Sequence, residues 1–191
     1  MNDYLGISTI STSMISLLQS ELVPELVSDR ESIQLVHPAE RGDARITVYL
    51  YDVSEDTKTA AGTAPVIGER RRNPSLYLRL SYLVAVFSEA AAKYRLVEEM
   101  KILSAIATVF HDHTMLSEET YQFVQEQDQA SMRLEMARLE GDGKMRVQSG
   151  LEIPMKPCLF YTIGPVEIHS KRWKPAPPTK EFKRVYRYGK E

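Results

Sequence analysis

The one close pair of histidines in the chain, His111 and His113, is the first candidate for chemistry. The two flank Asp112 at the end of a stretch whose apolar residues recur at helical spacing. Two metal ligands on one helix face need a spacing of four residues, whereas a spacing of two suits a strand. The pattern therefore favours histidines at a helix end, where a cationic ring interacts favourably with the helix dipole, and it predicts no metal site.

The other residue types that commonly perform catalysis form no recognisable motif. Cys158 lies in an apolar segment typical of a buried strand, so it is expected to act as a small apolar side chain and not as a nucleophile. No serine stands in a G-x-S-x-G context, and the glycines form neither a P-loop nor a dinucleotide-binding fingerprint. The sequence predicts neither an enzyme activity nor a cofactor.

Two basic segments could instead bind an acidic partner. The first is an arginine run within residues 54–74, a segment long enough to be a functional or mobile loop. The second is residues 171–191, where aromatic residues stand among cations. Arginine and aromatic side chains are the usual anchors of protein interfaces. The resulting interface candidates are Arg70, Arg71, Arg72, Trp173, Arg184, Tyr186, Arg187 and Tyr188. A solvated loop cluster and a disordered tail are the alternatives.

Charge is divided unequally along the chain. The 191 residues include 24 Lys and Arg and 26 Asp and Glu, but residues 171–191 alone carry eight cations and two anions. A basic tail beside an acidic body can bind nucleic acid, a membrane surface or the body of a neighbouring copy. The tail has no recognisable nucleic-acid motif, and its charge is opposite to that of the body, so a neighbouring copy is favoured.

Hydrophobic periodicity predicts the elements that would position these segments. It predicts an amphipathic helix near the N-terminus, a second helix over residues 89–111 and several strands. The predicted strands cover residues 32–37, 44–53, 75–87, 132–139 and 158–168. Helix remains an alternative over 132–139, because Met, Arg, Leu and Glu all favour it. The order predicts an α+β fold with a single mostly antiparallel sheet, two main helices flanking it and an extended C-terminal arm.

The length of the chain suggests one domain with an appendage. Several prolines after residue 170 interrupt regular structure. The sequence therefore predicts a domain over residues 1–170 and a basic aromatic arm over 171–191. It contains neither a signal-peptide pattern nor an apolar stretch of the roughly 20 residues that a membrane span needs. We expect synthesis in the cytoplasm and no membrane partner.

Four of these segments together resemble a known family. They read ITVYLYDVSED, NPSLYLRLSYLVAVF, EEMKILSAIATVFHDHTML and PCLFYTIGPVEI. This set, following an N-terminal amphipathic helix, resembles the N-terminal domain of the tube-terminator or cap proteins of extracellular contractile injection systems, which are phage-tail-like particles. The similarity covers roughly residues 3–169 and consists mainly of apolar strands with few fixed polar residues.

The resemblance implies a structural role similar to that of phage tail terminators. Such proteins form a six-fold ring at the end of the inner tube distal to the baseplate, stop its polymerisation and connect to the last sheath ring. The implied partners are further copies of the chain in a hexamer, the inner tube protein and the sheath protein, in a particle that is released from the cell. The alternative is a nucleic-acid-binding or assembly-chaperone module that acts through the basic arm.

Overall fold

A computed structural model of the chain describes residues 6–58, 66–67, 70–117, 122–124 and 132–175. These residues form three α-helices and ten β-strands. The helices are α1 (Gly6–Leu22), α2 (Ala92–Asp112) and α3 (Gly143–Gly150). The strands are β1 (Ile33–Leu35), β2 (Ile46–Glu55), β3 (Val66–Ile67), β4 (Arg70–Arg72), β5 (Leu76–Val86), β6 (Met115–Leu116), β7 (Phe123–Val124), β8 (Met132–Met136), β9 (Cys158–Ile168) and β10 (Trp173–Pro175).

Seven of the described strands form the main sheet, in the order β1-β2-β5-β9-β8-β6-β7. Only the β1/β2 pair is parallel among them, and every other described pair is antiparallel. The two 11-residue strands, β5 and β9, pair with each other near the middle of the sheet. This arrangement confirms the predicted α+β fold with a mostly antiparallel sheet.

Both faces of the sheet are covered, because residues of β5 alternate between two apolar clusters. Tyr82 and Val84 pack on one face with α1 and α2, whose buried residues include Ile10, Met14, Ile106 and Phe110. Leu83 and Ala85 face the other side with Phe160 and Ile153. Both main helices therefore lie on the same face. The alternating pattern in the sequence follows from this two-sided burial.

The structure confirms most of the predicted elements and corrects some of them. The strand predicted over 132–139 is confirmed and ends at Met136, whereas the second helix begins at Ala92, three residues after its predicted start. Helix α3 was missed. It has a glycine at each end and lacks an apolar stripe, and its buried residue is the polar Gln148, whose amide bonds the backbone of Lys156. Helical periodicity could not reveal it.

Two ion pairs fix the N-terminal half of α2 to the sheet. Nζ of Lys156 lies 2.8 Å from Oε1 of Glu99, with only 15% and 7% of the two side chains exposed. Arg45, at the start of β2, bonds Glu98 at 2.8 Å. Hydrogen bonds from the Ser88 hydroxyl and from the Arg45 guanidinium lower the pKa of Glu98. These pairs hold a helix whose first two turns are otherwise exposed. Across the described residues, no helix has the length and apolarity required to cross a bilayer.

Candidate assembly interface

The arginine run and the start of the predicted arm lie side by side in the structure. Strand β4 pairs antiparallel with β10, so that Arg72 faces Trp173 and Arg71 faces Lys174. On its other side, β4 pairs with β3. We call residues 70–72 together with 171–175 the basic ribbon. Two of the predicted candidates, more than 100 residues apart in the chain, are thus direct neighbours.

The basic ribbon continues the central strand pair of the main sheet. The last pair of the main ladder is Leu76 with Ile168, and the first pair of the ribbon is Arg72 with Trp173. Three residues connect these pairs on one strand and four on the other, so the register shifts by one residue between the two ladders. A backbone bond from the Asn73 N–H to the carbonyl of Arg172 (2.9 Å) bridges this interval. The position of the ribbon is therefore fixed by the two longest strands. The prediction of a loop over residues 54–74 is wrong in part. The first two of these residues are the end of β2, and the segment also contains strands β3 and β4.

A buried carboxylate lies at the end of β2, beside the part of β5 from which the ribbon extends. Asp56 follows β2 directly, and only 3% of its side chain is exposed. Its Oδ2 accepts a bond from Arg79 at 2.8 Å, and its Oδ1 accepts one from the backbone N–H of Lys58 at 3.1 Å. The N–H of Asp56 donates to the carbonyl of Tyr77. Asp56 therefore fixes the end of β2 against β5 where the ribbon begins.

The ribbon concentrates positive charge, most of which the described residues leave unpaired. Residues 70–72 and 171–175 contain six cations and no acidic residue. None of Arg70, Arg71, Arg72, Arg172 and Lys174 forms an ion pair with a carboxylate of the described residues.

The side chains of Arg72 and Trp173 contact each other within this ribbon. The guanidinium of Arg72 lies over the Trp173 ring, 5.1 Å from its centroid, and its buried Nε has no hydrogen-bond partner among the described residues. The stacked Arg72 and Trp173, beside the exposed guanidinium groups of Arg70 and Arg71, suit an anionic protein surface or a phosphate backbone.

An acidic groove, missed by the sequence analysis, lies at the opposite end of β5. Its volume is about 450 Å³. Its carboxylates are Asp29, Glu31, Glu40, Asp43 and Glu89. None of the five forms an ion pair with a lysine or arginine of the described residues. Bonds from the hydroxyls of Ser28 and Ser32 and from the Ser32 N–H lower the pKa of Asp29, so it stays ionised at neutral pH.

The two arginines that line the acidic groove are engaged elsewhere. Arg45 bonds Glu98, outside the groove. Arg41 lies over the ring of Phe87 and donates to backbone carbonyls of its own turn. The groove is therefore anionic as a whole. Its carboxylates come from the turns around β1 and from the residues before α2, so no single sequence motif could have revealed it.

The histidine candidates stand where the sequence predicts them, at the end of α2. The helix ends at Asp112, and the N–H of His113 donates to the carbonyl of Val109 as the C-cap. His111 lines an open groove of about 550 Å³ between α2 and β8. Nδ1 of His113 is buried and has no hydrogen-bond partner in the part of the chain that the structure describes. In the part of the chain that the structure describes, no three His, Cys, Asp or Glu side chains lie close enough together to hold a metal ion.

The remaining predicted residues have different outcomes. Burial raises the pKa of Cys158 to about 11, which keeps its thiol protonated at neutral pH, as expected for a side chain that is not a nucleophile. Arg184, Tyr186, Arg187 and Tyr188 lie outside the described residues, and their role stays a prediction. The division of the chain at residue 170 also stays a prediction.

Comparison with known proteins gives one family. The family model for the Pvc16 N-terminal domain matches residues 9–181. No curated protein gives a significant sequence match.

The solved structures that share the fold include the following two. One is the sheath/tube terminator of the PVC extracellular contractile injection system in its extended state, with a TM-score of 0.63 and 12% identity over 96% of this chain and 64% of that chain. The other is the tube-terminating cap of the anti-feeding prophage, with a TM-score of 0.59 and 17% identity over 93% of this chain and 60% of that one. The chain thus spans less than two thirds of the length of either structure. Since the family model covers most of the chain, the resemblance inferred from its strands and helices is confirmed: the chain belongs to the Pvc16 N-terminal domain family.

Proposed function

We propose that this chain is a structural cap that ends the inner tube of a phage-tail-like contractile injection system. The observation that carries the proposal is the family match over residues 9–181. The fold shared with a sheath/tube terminator and with a tube-terminating cap supports it. In this proposal the chain has no catalytic role, and its surfaces serve assembly.

The cap acts as a ring of six copies at the end of the tube distal to the baseplate. One side of the ring covers the last tube ring and blocks further addition, and its periphery contacts the terminal sheath ring. The chain is made and assembled in the cytoplasm and leaves the cell as part of the particle. Ring closure needs two unlike surfaces on each copy, because every copy uses one surface to bind the next.

The surfaces of the chain suit such an assembly. The basic ribbon and the acidic groove are unlike in charge, and neither Arg70 and Arg71 of the ribbon nor the five carboxylates of the groove form an ion pair with a described lysine, arginine or carboxylate. The exposed turns of α2 add a set of apolar side chains available to a partner. They are Tyr94, Leu96, Val97 and Met100, each at least 45% exposed. Within the proposed arm, Arg184, Tyr186, Arg187 and Tyr188 are candidates for contacts with tube or sheath.

Deletion of the gene in a producing strain tests the proposal directly. We expect tubes or sheaths of uncontrolled length in electron micrographs of purified particles, because nothing stops polymerisation. Expression of the wild-type chain from a plasmid restores the normal length. Particles of normal length in the deletion strain would contradict the proposal.

A further inference from the structure

Among the described residues, two surfaces of opposite charge lie at opposite ends of one strand. The basic ribbon adjoins the first residue of β5, Leu76, through the three residues that separate it from β4. The acidic groove adjoins the last residue, Val86, since Phe87 bonds the carbonyl of Arg45 at 2.7 Å and Glu89 lines the groove. Eleven residues of strand place these ends about 33 Å apart.

This separation prevents the ribbon from neutralising the groove of its own chain. The strand between them is buried and paired on both sides with β2 and β9, so the distance is fixed. Each copy therefore presents a cationic surface at one end and an anionic surface at the other. Two such copies attract each other when they meet head to tail and repel each other when like ends meet.

The two surfaces also match in form. The ribbon is narrow, with the described strands β4 and β10 both exposed apart from the half-buried Arg72. The groove is concave and lined mainly by polar atoms. Guanidinium groups pair with carboxylates in two-point hydrogen bonds, and the ribbon offers several to a groove with five carboxylates.

We propose that the basic ribbon of one copy docks in the acidic groove of the next copy. The inference rests on the proposed ring, since it assigns the two surfaces that join neighbouring copies. The contact is heterologous: the same two surfaces recur at every junction, so the copies add in one direction, and a rotation of one sixth of a turn between neighbours closes them into the proposed ring. Arg70 and Arg71 are the ribbon residues that contact the groove, and Glu31 and Glu40 are among the carboxylates that receive them.

Charge reversal in purified full-length protein tests this contact. The ribbon variant R70E/R71E and the groove variant E31K/E40K each place like charges at the junction, and all four side chains are exposed, so folding should be unaffected. Mass is measured by sedimentation at about 0.1 M and about 1 M salt, where the Debye length falls from about 10 Å to about 3 Å. We expect the wild type to associate at low salt, and each variant to associate at least about tenfold more weakly.

Mixing the two variants distinguishes this contact from others. Every junction between a ribbon variant and a groove variant again brings opposite charges together, so the mixture should associate although neither variant does alone. The fourfold variant R70E/R71E/E31K/E40K should associate by itself for the same reason. The matched control R138E/R146E changes the same amount of charge elsewhere and should behave as the wild type.

Several outcomes would overturn the inference. A wild-type chain that stays monomeric at low salt contradicts it, as does a mixture that fails to associate. If R70E/R71E abolishes binding of a labelled single-stranded oligonucleotide while E31K/E40K leaves the mass unchanged, the ribbon is a nucleic-acid surface instead. The proposed cap function fails through a separate result, normal particle length in the deletion strain, so the two failures are distinguishable.

Discussion

The N-terminal half of α2 and the basic ribbon use charge in opposite ways. In the N-terminal half of α2, Glu99 is buried and paired with Lys156, whose ammonium also lies 4.2 Å from the centre of the Phe87 ring. In the ribbon, Arg70 and Arg71 are exposed and form no ion pair with described residues. The first arrangement satisfies the charges within the chain, and the second leaves them for a partner. Stability should therefore depend on the first and assembly on the second.

The largest effect on stability is expected from E99A. It leaves the buried Lys156 ammonium without its partner, which should lower the free energy of unfolding by about 3 kcal/mol. Urea denaturation followed by circular dichroism measures the change. The double variant E99Q/K156M removes both charges and should recover most of the loss. A loss below about 1 kcal/mol in E99A would show that this pair does not hold the helix.

Asp56 stands where the two regions meet, and its removal should have an intermediate effect. D56A deprives Arg79 and the Lys58 N–H of their acceptor, and Arg79 is about one third exposed, so water partly replaces the carboxylate. We expect a loss of about 2 kcal/mol in the free energy of unfolding. Self-association should also be weaker, because the start of β5, from which the ribbon extends, is held less firmly against β2. If D56A associates as strongly as the wild type, the position of the ribbon does not depend on Asp56.

Tyr82 offers a smaller effect with a pH signature. Its hydroxyl lies 2.8 Å from the Ser11 hydroxyl in the core, so Y82F should cost about 1 kcal/mol at neutral pH. Burial raises the pKa values of Tyr82 and Tyr161 to about 12. The unfolded chain loses these protons near pH 10, whereas the folded chain keeps them, so stability falls between about pH 10 and pH 12.

The matching measurement is the free energy of unfolding from pH 8 to pH 12. In Y82F the alkaline loss should be reduced but not abolished, because Tyr161 and Cys158, whose pKa values are also raised by burial, still contribute. An unchanged alkaline loss in Y82F would contradict the role assigned to Tyr82.

The smallest effect on stability is expected in the ribbon itself. R70S/R71S removes two exposed cations, so its free energy of unfolding should stay within about 0.5 kcal/mol of the wild type. Its self-association at low salt should nevertheless be weaker than that of R138S/R146S. If R70S/R71S unfolds as easily as D56A, the ribbon supports the fold and the contrast between the two regions is wrong.

Sequence patterns predicted the elements whose residues see a simple environment. The alternation of Tyr82, Leu83, Val84 and Ala85 reflects a strand buried on both faces, and it was read correctly. The contact between Arg72 and Trp173 could not be predicted from the sequence, because the pairing of two strands more than 100 residues apart leaves no local pattern. The nature of both residues still marked them as interface candidates.

The parts that sequence analysis missed depend on tertiary contacts. Helix α3 is positioned through Gln148 and its bonds to Lys156, not through an apolar stripe. The acidic groove collects carboxylates from separate turns, and acidic residues in turns usually face solvent without forming a site. Their common location follows only from the parallel pairing of β1 with β2, which brings these turns to one end of the sheet.

The continuity between the ribbon and the two longest strands has a mechanical consequence. Hydrogen bonds in an antiparallel pair run perpendicular to the strands. A force that pulls both strands of the ribbon along its length therefore loads in shear the hydrogen bonds that join β5 to β2 and β9 to β8, and all of them resist together. A force across the ribbon would instead open the bonds one after another, beginning at the interval bridged by Asn73. The fold should therefore resist a pull along β5 more strongly than a sideways pull, which separates the strands first beside Asn73.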